Sequence, residues 1–316
     1  MRTTTLGPGG PEVGRIGLGC MGMSWVYDES GRDAATSMAV IHQAIDAGAR
    51  FLDTADAYGP FDNEYLVGKA IAGRRDEVVL ATKAGLVVDG TRAIHRNGRP
   101  EHLRAALDAS LLRLGTDYVD LYQLHRVDPA VPLAETWGVM AEFVAAGKAR
   151  AIGLSEVTTA EIEVAHAIHP VASVQSELSL WTRDSLAEVL PFTEERDITF
   201  IPFSPLGRGF LAGRFSSVAD LPAGDWRQGL PRFQPHALDA NQAIAVRVQK
   251  QAAQLGITPA QLSLAWVLAQ GRWVLPIPGT KNPRYLAENI AAAEIDLPAD
   301  VLADLDQLPE AIGERY

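Results

Sequence analysis

Residues 119–155 read VDLYQLHRVDPAVPLAETWGVMAEFVAAGKARAIGLS, and this stretch decides the fold class. Its two ends, residues 119–125 and 149–155, are short apolar runs of the kind that form buried strands. Between them, apolar side chains in residues 133–148 recur at intervals of three and four, and the pattern closes near Gly147, as in an amphipathic helix. A strand, a helix and a second strand predict a βαβ unit with parallel strands.

The same alternation continues in both directions along the chain. We expect further helices at residues 34–48, 63–73 and 100–115, where apolar positions again have helical spacing. The predicted strands cover residues 15–20, 50–55, 77–83, 119–125, 149–155, 172–178, 198–204 and 273–279. Eight repeats of a strand followed by a helix predict an α/β fold, the (β/α)8 TIM barrel.

A doubly wound sheet is the rival architecture, and it usually carries a Gly-rich phosphate-binding turn after an early strand. Residues 17–24, GLGCMGMS, follow the first predicted strand but lack the G-x-G-x-x-G pattern. The strongest Gly-rich turns instead follow strands seven and eight, where barrels commonly bind phosphate. The position of these turns favours the barrel.

Two segments interrupt the alternation. Residues 6–13, LGPGGPEV, contain turn residues suited to an N-terminal β-hairpin that closes the barrel floor. Residues 206–241, after strand seven, are rich in Gly and Pro with weak periodicity, and so long a loop in a compact domain is usually functional or disordered. We interpret this loop as a lid, with Trp226 and Phe233 as covering side chains. No linker marks a second domain, so we expect residues 1–316 to form a single barrel domain.

The charge and length of the chain limit its class of partner. Its 316 residues, 47% of them hydrophobic, are enough for one large core. The formal net charge is −11, from 28 Lys and Arg against 39 Asp and Glu, without a block of like charges. This balance argues against nucleic acid or an anionic membrane as a general partner, so an anionic ligand needs a local basic patch. The sequence leaves the oligomeric state open.

Cysteine and histidine usage argues against a disulfide framework or a metal site. The single cysteine, Cys20, excludes an internal disulfide and a multi-cysteine zinc site, and it fits a reducing compartment. The seven histidines are scattered, with no H-E-x-x-H motif. The N-terminal residues lack the apolar core of a signal peptide, and no apolar run approaches the roughly 20 residues of a membrane span. We therefore expect a cytoplasmic protein without a metal.

Four polar residues lie at or just after the ends of predicted strands. Asp53 lies near the end of the second strand and Tyr58 follows that strand, while Lys83 and His125 end the third and fourth. Because parallel strands of a barrel end at one rim, we expect these side chains to meet there. Taken singly, each also fits a structural role, such as a helix cap, a turn, a strand-edge charge or a structural histidine. The conjunction of all four favours a proton-transfer site.

The expected chemistry follows from these residue types. A carbonyl that accepts hydride builds negative charge on oxygen, and Tyr58 can donate a proton there. A cationic Lys83 would lower the cost of forming the phenolate, and Asp53 would keep the lysine charged and oriented. His125 would orient the carbonyl oxygen through a hydrogen bond or assist the proton transfer.

Seven segments resemble the aldo-keto reductase superfamily, in the order that this family uses. They are DTADAYG (53–59), LATKAG (80–85), LYQLH (121–125), AIGLSE (151–156), VQSELS (174–179), PFSPLGRGFLAG (202–213) and IPGTKNPRYLAEN (277–289). The two longest are similar to bacterial and plant reductases grouped with pyridoxal and perakine reductases. The resemblance implies an NADPH-dependent carbonyl reductase on a (β/α)8 barrel, with Asp53, Tyr58, Lys83 and His125 as the catalytic tetrad.

The resemblance also implies how the nicotinamide is held. Ser155 and Gln175 would hold the carboxamide, and Phe203 would stack on the ring so that one face stays open to substrate. Glu156 stands where the family often has Asn, which puts a second carboxamide contact in doubt. We also expect Met21 and Gly279 in the cofactor site.

Two turns are candidates for the phosphates of NADPH. Glycines in the turn after strand seven let backbone N–H groups approach a pyrophosphate. The residues of this turn are Ser204, Leu206, Gly207 and Gly209. After strand eight, a hydroxyl and two cations near a helix start suit the 2′-phosphate. The residues there are Thr280, Lys281 and Arg284, followed by Glu288 and Asn289. The alternative for Lys281 and Arg284 is a solvated helix start, with the arginine paired to a carboxylate.

The substrate is expected to be a small carbonyl compound in a pocket with aromatic walls. Trp25, Tyr58 and Trp226 would supply the walls and Arg126 a cation at the edge. Two other functions remain open. A Schiff-base aldolase would use Lys83 as a nucleophile, but pairing with Asp53 disfavours the neutral lysine that it needs. A non-catalytic nucleotide-sensing subunit would have no need of an intact tetrad.

Overall fold

Strands and helices alternate along the chain in the computed structural model, which describes residues 1–27, 29, 31–215, 217–222 and 224–316. The strands are β1 (Thr3–Thr5), β2 (Glu12–Gly14), β3 (Leu18–Gly19), β4 (Phe51–Asp53), β5 (Val79–Ala84), β6 (Leu86–Val88), β7 (Ile94–Arg96), β8 (Val119–Leu124), β9 (Ala149–Ser155), β10 (Ser173–Glu177) and β11 (Thr199–Phe203). The helices are α1 (Ala34–Asp46), α2 (Asp62–Ile71), α3 (Pro100–Leu114), α4 (Leu133–Ala145), α5 (Thr159–His166), α6 (Val189–Glu194), α7 (Pro235–Leu255), α8 (Pro259–Leu268), α9 (Pro283–Ala291) and α10 (Ala299–Asp306).

Seven of these strands form one parallel sheet in the order β11-β10-β9-β8-β5-β4-β3. Residues 273–279 lie between the two edges of this sheet and close it. On one side, the N–H groups of Leu275 and Ile277 donate to the carbonyl groups of Phe200 and Pro202, at 2.9 and 3.1 Å. On the other side, Gly19 forms a parallel bridge with Gly279. The predicted (β/α)8 barrel is confirmed.

The eighth predicted strand is the least regular, and its sequence explains why. Pro276 and Pro278 lack N–H groups, so they cannot donate to a ladder, and the segment makes isolated bridges instead of a regular strand. Closure also depends on a close backbone approach at Gly19. A Cβ atom there would lie 2.8 Å from the carbonyl oxygen of Ile277, so only glycine fits without a shift.

The predicted N-terminal hairpin is also confirmed and lies at the floor of the barrel. Strands β1 and β2 pair antiparallel. Leu6 and Val13 are buried in one apolar cluster with Phe51, Ile201 and Leu275 from the barrel interior. The N–H group of Gly7 donates to the hydroxyl of Thr199, the first residue of β11, at 2.7 Å. The hairpin therefore covers the amino ends of the strands and leaves their carboxyl ends open.

Helices α1 to α4 lie where the apolar spacing predicts them. Helix α3 ends before Gly115, which has a φ of 66° and donates its N–H to the carbonyl of Leu111, a typical C-terminal cap. A second hairpin, β6 with β7, follows β5 and was not predicted. Within the described part of the chain, no helix combines the length and the apolar character needed to cross a membrane.

The loop after strand seven differs from the prediction. Short 3-10 helices occur at Gly207–Gly209, Val218–Asp220, Trp226–Gly229 and Pro231–Phe233. Residues 235–241, which were predicted to be irregular, instead begin α7, because Pro235 occupies the first helical position that proline favours. Ser216 and Ala223, inside the predicted lid, lie outside the described residues.

The two side chains predicted to cover the barrel have different environments. Trp226 is 40% exposed on the loop after strand seven. Phe233 is fully buried, with its ring 5.6 Å from that of Trp181 and 5.8 Å from that of Phe215. The prediction for Phe233 is therefore wrong, because this ring packs in the apolar cluster beneath the loop.

Candidate active site

The four predicted tetrad residues meet at the carboxyl ends of the strands. Asp53 is the last residue of β4, Lys83 lies in β5, and His125 follows β8 directly. Tyr58 lies in the turn between β4 and α2. All four side chains are buried, Lys83 completely. The barrel topology thus gathers residues that are far apart in sequence.

Lys83 is the centre of this group. Its ammonium lies 2.6 Å from the Asp53 carboxylate, 2.8 Å from the carbonyl oxygen of Thr54 and 3.2 Å from the hydroxyl of Tyr58. Burial lowers the pKa of Lys83, but Asp53 and Tyr58 outweigh it, so the net pKa lies above the ordinary value. Lys83 is therefore an ammonium at neutral pH, and one of its N–H groups donates to the Tyr58 hydroxyl.

Tyr58 is held as a neutral phenol. Burial raises its pKa, and the opposing charge of Lys83 offsets this only in part. The lowering of the Tyr58 pKa by Lys83 was predicted, whereas the larger effect of burial was not, because the sequence does not reveal how completely the phenol is buried. At neutral pH the hydroxyl thus carries the proton that a general acid must give away.

His125 is a neutral imidazole beside the phenol. Its ring lies 5.8 Å from that of Tyr58 at an interplanar angle of 84°. Burial, then the charges of Lys83 and Arg126, hold the pKa of His125 well below its ordinary value. Its Nδ1 atom is buried without a hydrogen-bond partner among the described residues. A neutral imidazole can donate one hydrogen bond to a carbonyl oxygen without competing for the role of acid.

Two glutamines hold the far oxygen of Asp53. The amide nitrogen of Gln175 lies 2.8 Å from Oδ2 of Asp53, and that of Gln123 lies 3.3 Å from the same atom. Gln175 was predicted to hold the cofactor. Gln123 was not predicted to belong to the site. A polar residue inside an otherwise apolar, buried strand was a usable signal for it. In the structure Gln123 is the register partner of Lys83 on the neighbouring strand.

The residues predicted to hold the nicotinamide are neighbours at the rim. Ser155 and Gln175 are register partners on β9 and β10. Phe203 ends β11 and is partly exposed. Glu156 takes a positive φ of 53° and its carboxylate lies 2.8 Å from the guanidinium of Arg315. It also accepts a hydrogen bond from the backbone N–H of Glu177, at 2.9 Å. Glu156 is thus engaged with the C-terminal segment.

In the turn after strand seven, the glycine N–H groups bond within the turn. The N–H of Gly207 donates to Ser204 and that of Gly209 to Leu206, at 2.9 and 3.0 Å. Arg208, between the glycines, is buried and pairs with Glu177 at 3.2 Å. This ion pair was not predicted, because Glu177 ends β10 whereas Arg208 lies in the turn after β11, 31 residues along the chain. The N–H groups of Gly207 and Gly209 are thus already engaged within the turn.

The turn after strand eight leads into α9. The hydroxyl of Thr280 accepts from the N–H of Asn282 at 3.1 Å, and Asn282 caps the helix. Arg284 is 82% exposed and lies 2.9 Å from the Glu288 carboxylate. This ion pair is the alternative that the sequence left open for Arg284. Of the remaining predicted residues, Lys281 is partly exposed and Asn289 is buried on α9.

The predicted pocket residues Trp25 and Trp226 pack against different aromatic rings. The Trp25 ring lies 5.7 Å from that of Tyr58. The Trp226 ring lies 6.4 Å from that of Tyr27, at an interplanar angle of 83°. Met21 lies in a 3-10 turn after β3, and its carbonyl oxygen accepts a hydrogen bond from the N–H of Trp25 at 3.0 Å. No cluster of three or more potential metal ligands occurs among the residues that the structure describes.

Comparison with known proteins points to one family. The model of the family described as "Aldo/keto reductase family" matches residues 15–310. A probable aldo-keto reductase 1 from Glycine max is 42% identical over 315 residues, covering 98% of this chain and 90% of that protein.

Solved structures give the same result. A glycerol dehydrogenase from Gluconobacter oxydans superposes with a TM-score of 0.86 at 27% identity, covering 96% of this chain and 94% of that one. An aldo-keto reductase from Klebsiella pneumoniae, in complex with NADPH, superposes with a TM-score of 0.74 at 30% identity, covering 97% and 95%. With a family match over nearly its whole length, the chain belongs to the aldo/keto reductase family.

Proposed function

We propose that this chain reduces aldehydes or activated ketones to alcohols with NADPH, and that Tyr58 is the proton donor. The observation that carries the proposal is the buried line of contacts from Asp53 to Lys83 to the Tyr58 hydroxyl, at 2.6 and 3.2 Å. Family membership and the NADPH complex of the Klebsiella pneumoniae relative support the choice of cofactor. We propose that residues 1–316 act as one barrel domain in this reaction.

The rim has the groups that this cofactor needs. Ser155 and Gln175 are adjacent in register, and both can hydrogen bond a carboxamide. Phe203 offers a partly exposed ring at the end of the neighbouring strand. When bound, NADPH supplies a hydride to the carbonyl carbon. Lys281 and Arg284 are the residues that we propose for the 2′-phosphate.

The chain's own residues would perform the proton transfer. His125 donates a hydrogen bond to the carbonyl oxygen and so fixes it beside the Tyr58 hydroxyl. Tyr58 gives its proton to that oxygen as charge develops there, and Lys83 stabilises the phenolate that remains. Asp53, held by Gln123 and Gln175, keeps the ammonium in place.

The same contacts disfavour an aldolase. A Schiff base requires a neutral, accessible amine, whereas Lys83 is fully buried and its pKa is raised. The complete tetrad likewise disfavours a purely nucleotide-sensing subunit, because such a subunit needs no proton donor.

The test is oxidation of NADPH by the purified protein with short aldehydes, aromatic aldehydes, pyridoxal, dicarbonyls and sugars, with identification of the alcohol product. We expect reduction of at least one class, loss of reduction in Lys83→Met, and normal rates in the control Lys69→Met, whose side chain is exposed on α2. Borohydride trapping of a carbonyl substrate on Lys83 without nicotinamide cofactor would replace the reductase by the aldolase.

A further inference from the structure

Arg126 lies at the rim and uses only part of the hydrogen-bonding capacity of its guanidinium. It follows His125 directly and is partly exposed. Its Nη1 atom donates to the carbonyl oxygen of His125 at 2.6 Å and to the hydroxyl of Ser155 at 3.0 Å. A guanidinium has five N–H donors in a planar fork, and its other edge suits a carboxylate.

Four other cations near this rim are each paired with a carboxylate. The ion pairs are Lys83 with Asp53 at 2.6 Å, Arg208 with Glu177 at 3.2 Å, Arg227 with Asp225 at 2.7 Å and Arg315 with Glu156 at 2.8 Å. Among the described residues, no carboxylate lies within ion-pair distance of Arg126. The two charges of each of these pairs offset one another, whereas Arg126 has no such partner within the part of the chain that the structure describes.

Arg126 also lies within electrostatic reach of the reacting groups. After burial and Lys83, its charge further lowers the pKa of His125. Its charge also acts on Tyr58, in the direction that favours phenolate. A charge that reaches both the proton donor and the residue that orients the carbonyl will also reach a charged group on the substrate.

We propose that Arg126 binds a carboxylate on the substrate, so that the preferred substrates are aldehydes and ketones that carry a carboxylate a short distance from the carbonyl. This inference rests on the proposed reductase function. Hydride adds to the carbonyl carbon, Tyr58 protonates the oxygen, NADPH becomes NADP⁺, and the carboxylate is unchanged. Trp25, beside Tyr58, suits a flat aromatic body between the two groups.

The test compares aldehydes that differ only in the carboxylate: 3- and 4-carboxybenzaldehyde against benzaldehyde, and succinic semialdehyde against butanal. We expect the parent to prefer the charged member by about 10-fold to 100-fold in kcat/KM, as one charge-assisted contact allows. In Arg126→Met this preference should disappear, mainly through KM, and Arg126→Lys should restore part of it. Added salt should weaken the preference.

A control separates recognition from a structural role. Arg104→Met makes the same charge change on α3, where Arg104 pairs with Glu142 on the outside of the barrel, and should leave the preference intact. If Arg126 only held Ser155, Arg126→Met would weaken reduction of both members of a pair equally, and that result overturns the inference. If the parent reduces both members equally, the anion preference is wrong while the reductase stands. If it reduces no aldehyde, the proposed function itself fails.

Discussion

Asp56 is a buried acid that the proton-transfer scheme does not use. It is 4% exposed, and its Oδ1 atom has no hydrogen-bond partner among the described residues. Burial, followed by the nearby charge of Glu64, raises the pKa of Asp56 to about 8. Because an unfolded Asp titrates near pH 4, only the folded state holds this proton between about pH 4 and pH 8. Stability therefore falls as the pH rises through that window.

Replacement of Asp56 by Asn should remove this dependence, because the amide cannot ionise. Between pH 6 and pH 9, we expect the free energy of unfolding to fall more for the parent than for the variant. The difference between the two falls should be on the order of 1 kcal/mol or more. Urea denaturation at both pH values measures the difference. If the free energy of unfolding falls equally for the parent and for Asp56→Asn, then Asp56 is already ionised in the folded protein at pH 6.

At the residue scale, the sequence was informative where topology alone brings side chains together. Asp53, Lys83 and His125 lie at or next to the carboxyl ends of parallel strands, so their meeting follows from the barrel. The contact between Gln123 and Asp53 depends on the register of the strands, which one apolar run cannot specify. Likewise, Arg126 resembles any loop cation until its neighbours' ion pairs are known.

At the element scale, the start of α9 is the proposed determinant of cofactor choice. Arg284 is exposed and pairs with Glu288 at 2.9 Å, one turn further along the helix. Such an exposed pair contributes little to stability, so a phosphate can take its place at low cost.

Replacing both Lys281 and Arg284 by Ala should weaken NADPH binding and spare NADH, because only NADPH carries the 2′-phosphate. We expect a loss on the order of 10-fold to 100-fold in NADPH affinity, reduced by solvent at this exposed site. Quenching of protein fluorescence gives both dissociation constants. Equal losses for the two cofactors would contradict this role for α9.

Among the elements, periodicity predicted α1 to α4 but not the start of α7. Gln234 precedes that helix and its side chain makes no capping hydrogen bond, so the usual Ser, Thr, Asp or Asn signal is missing. The prediction that Phe233 covers the barrel was wrong for a different reason. Its burial depends on Trp181, which is remote in sequence and gives no local sign of the contact.

At the scale of the whole molecule, barrel closure depends on the approach of Gly19 to residues 277–279. We expect Gly19→Ala to lower the free energy of unfolding by about 1 to 3 kcal/mol, because the new methyl group collides with backbone atoms that cannot rotate away. Gly138→Ala is the matched control, since its Cβ would meet nothing within 4 Å and lies in a helix. It should be neutral or stabilising by about 0.5 to 1 kcal/mol. Equal effects in urea denaturation would contradict this view of closure.

The barrel holds the Tyr58 hydroxyl 3.2 Å from the buried Lys83 ammonium, and we propose that this pairing performs the proton transfer. The most direct test is the rate of a single turnover in Tyr58→Phe preloaded with NADPH, with Tyr65→Phe, an exposed tyrosine on α2, as the control. We predict that Tyr58→Phe binds NADPH as the parent does and transfers hydride about 10² to 10⁴ times more slowly, while Tyr65→Phe matches the parent. A Tyr58→Phe rate within about threefold of the parent would contradict the assignment of Tyr58 as the proton donor.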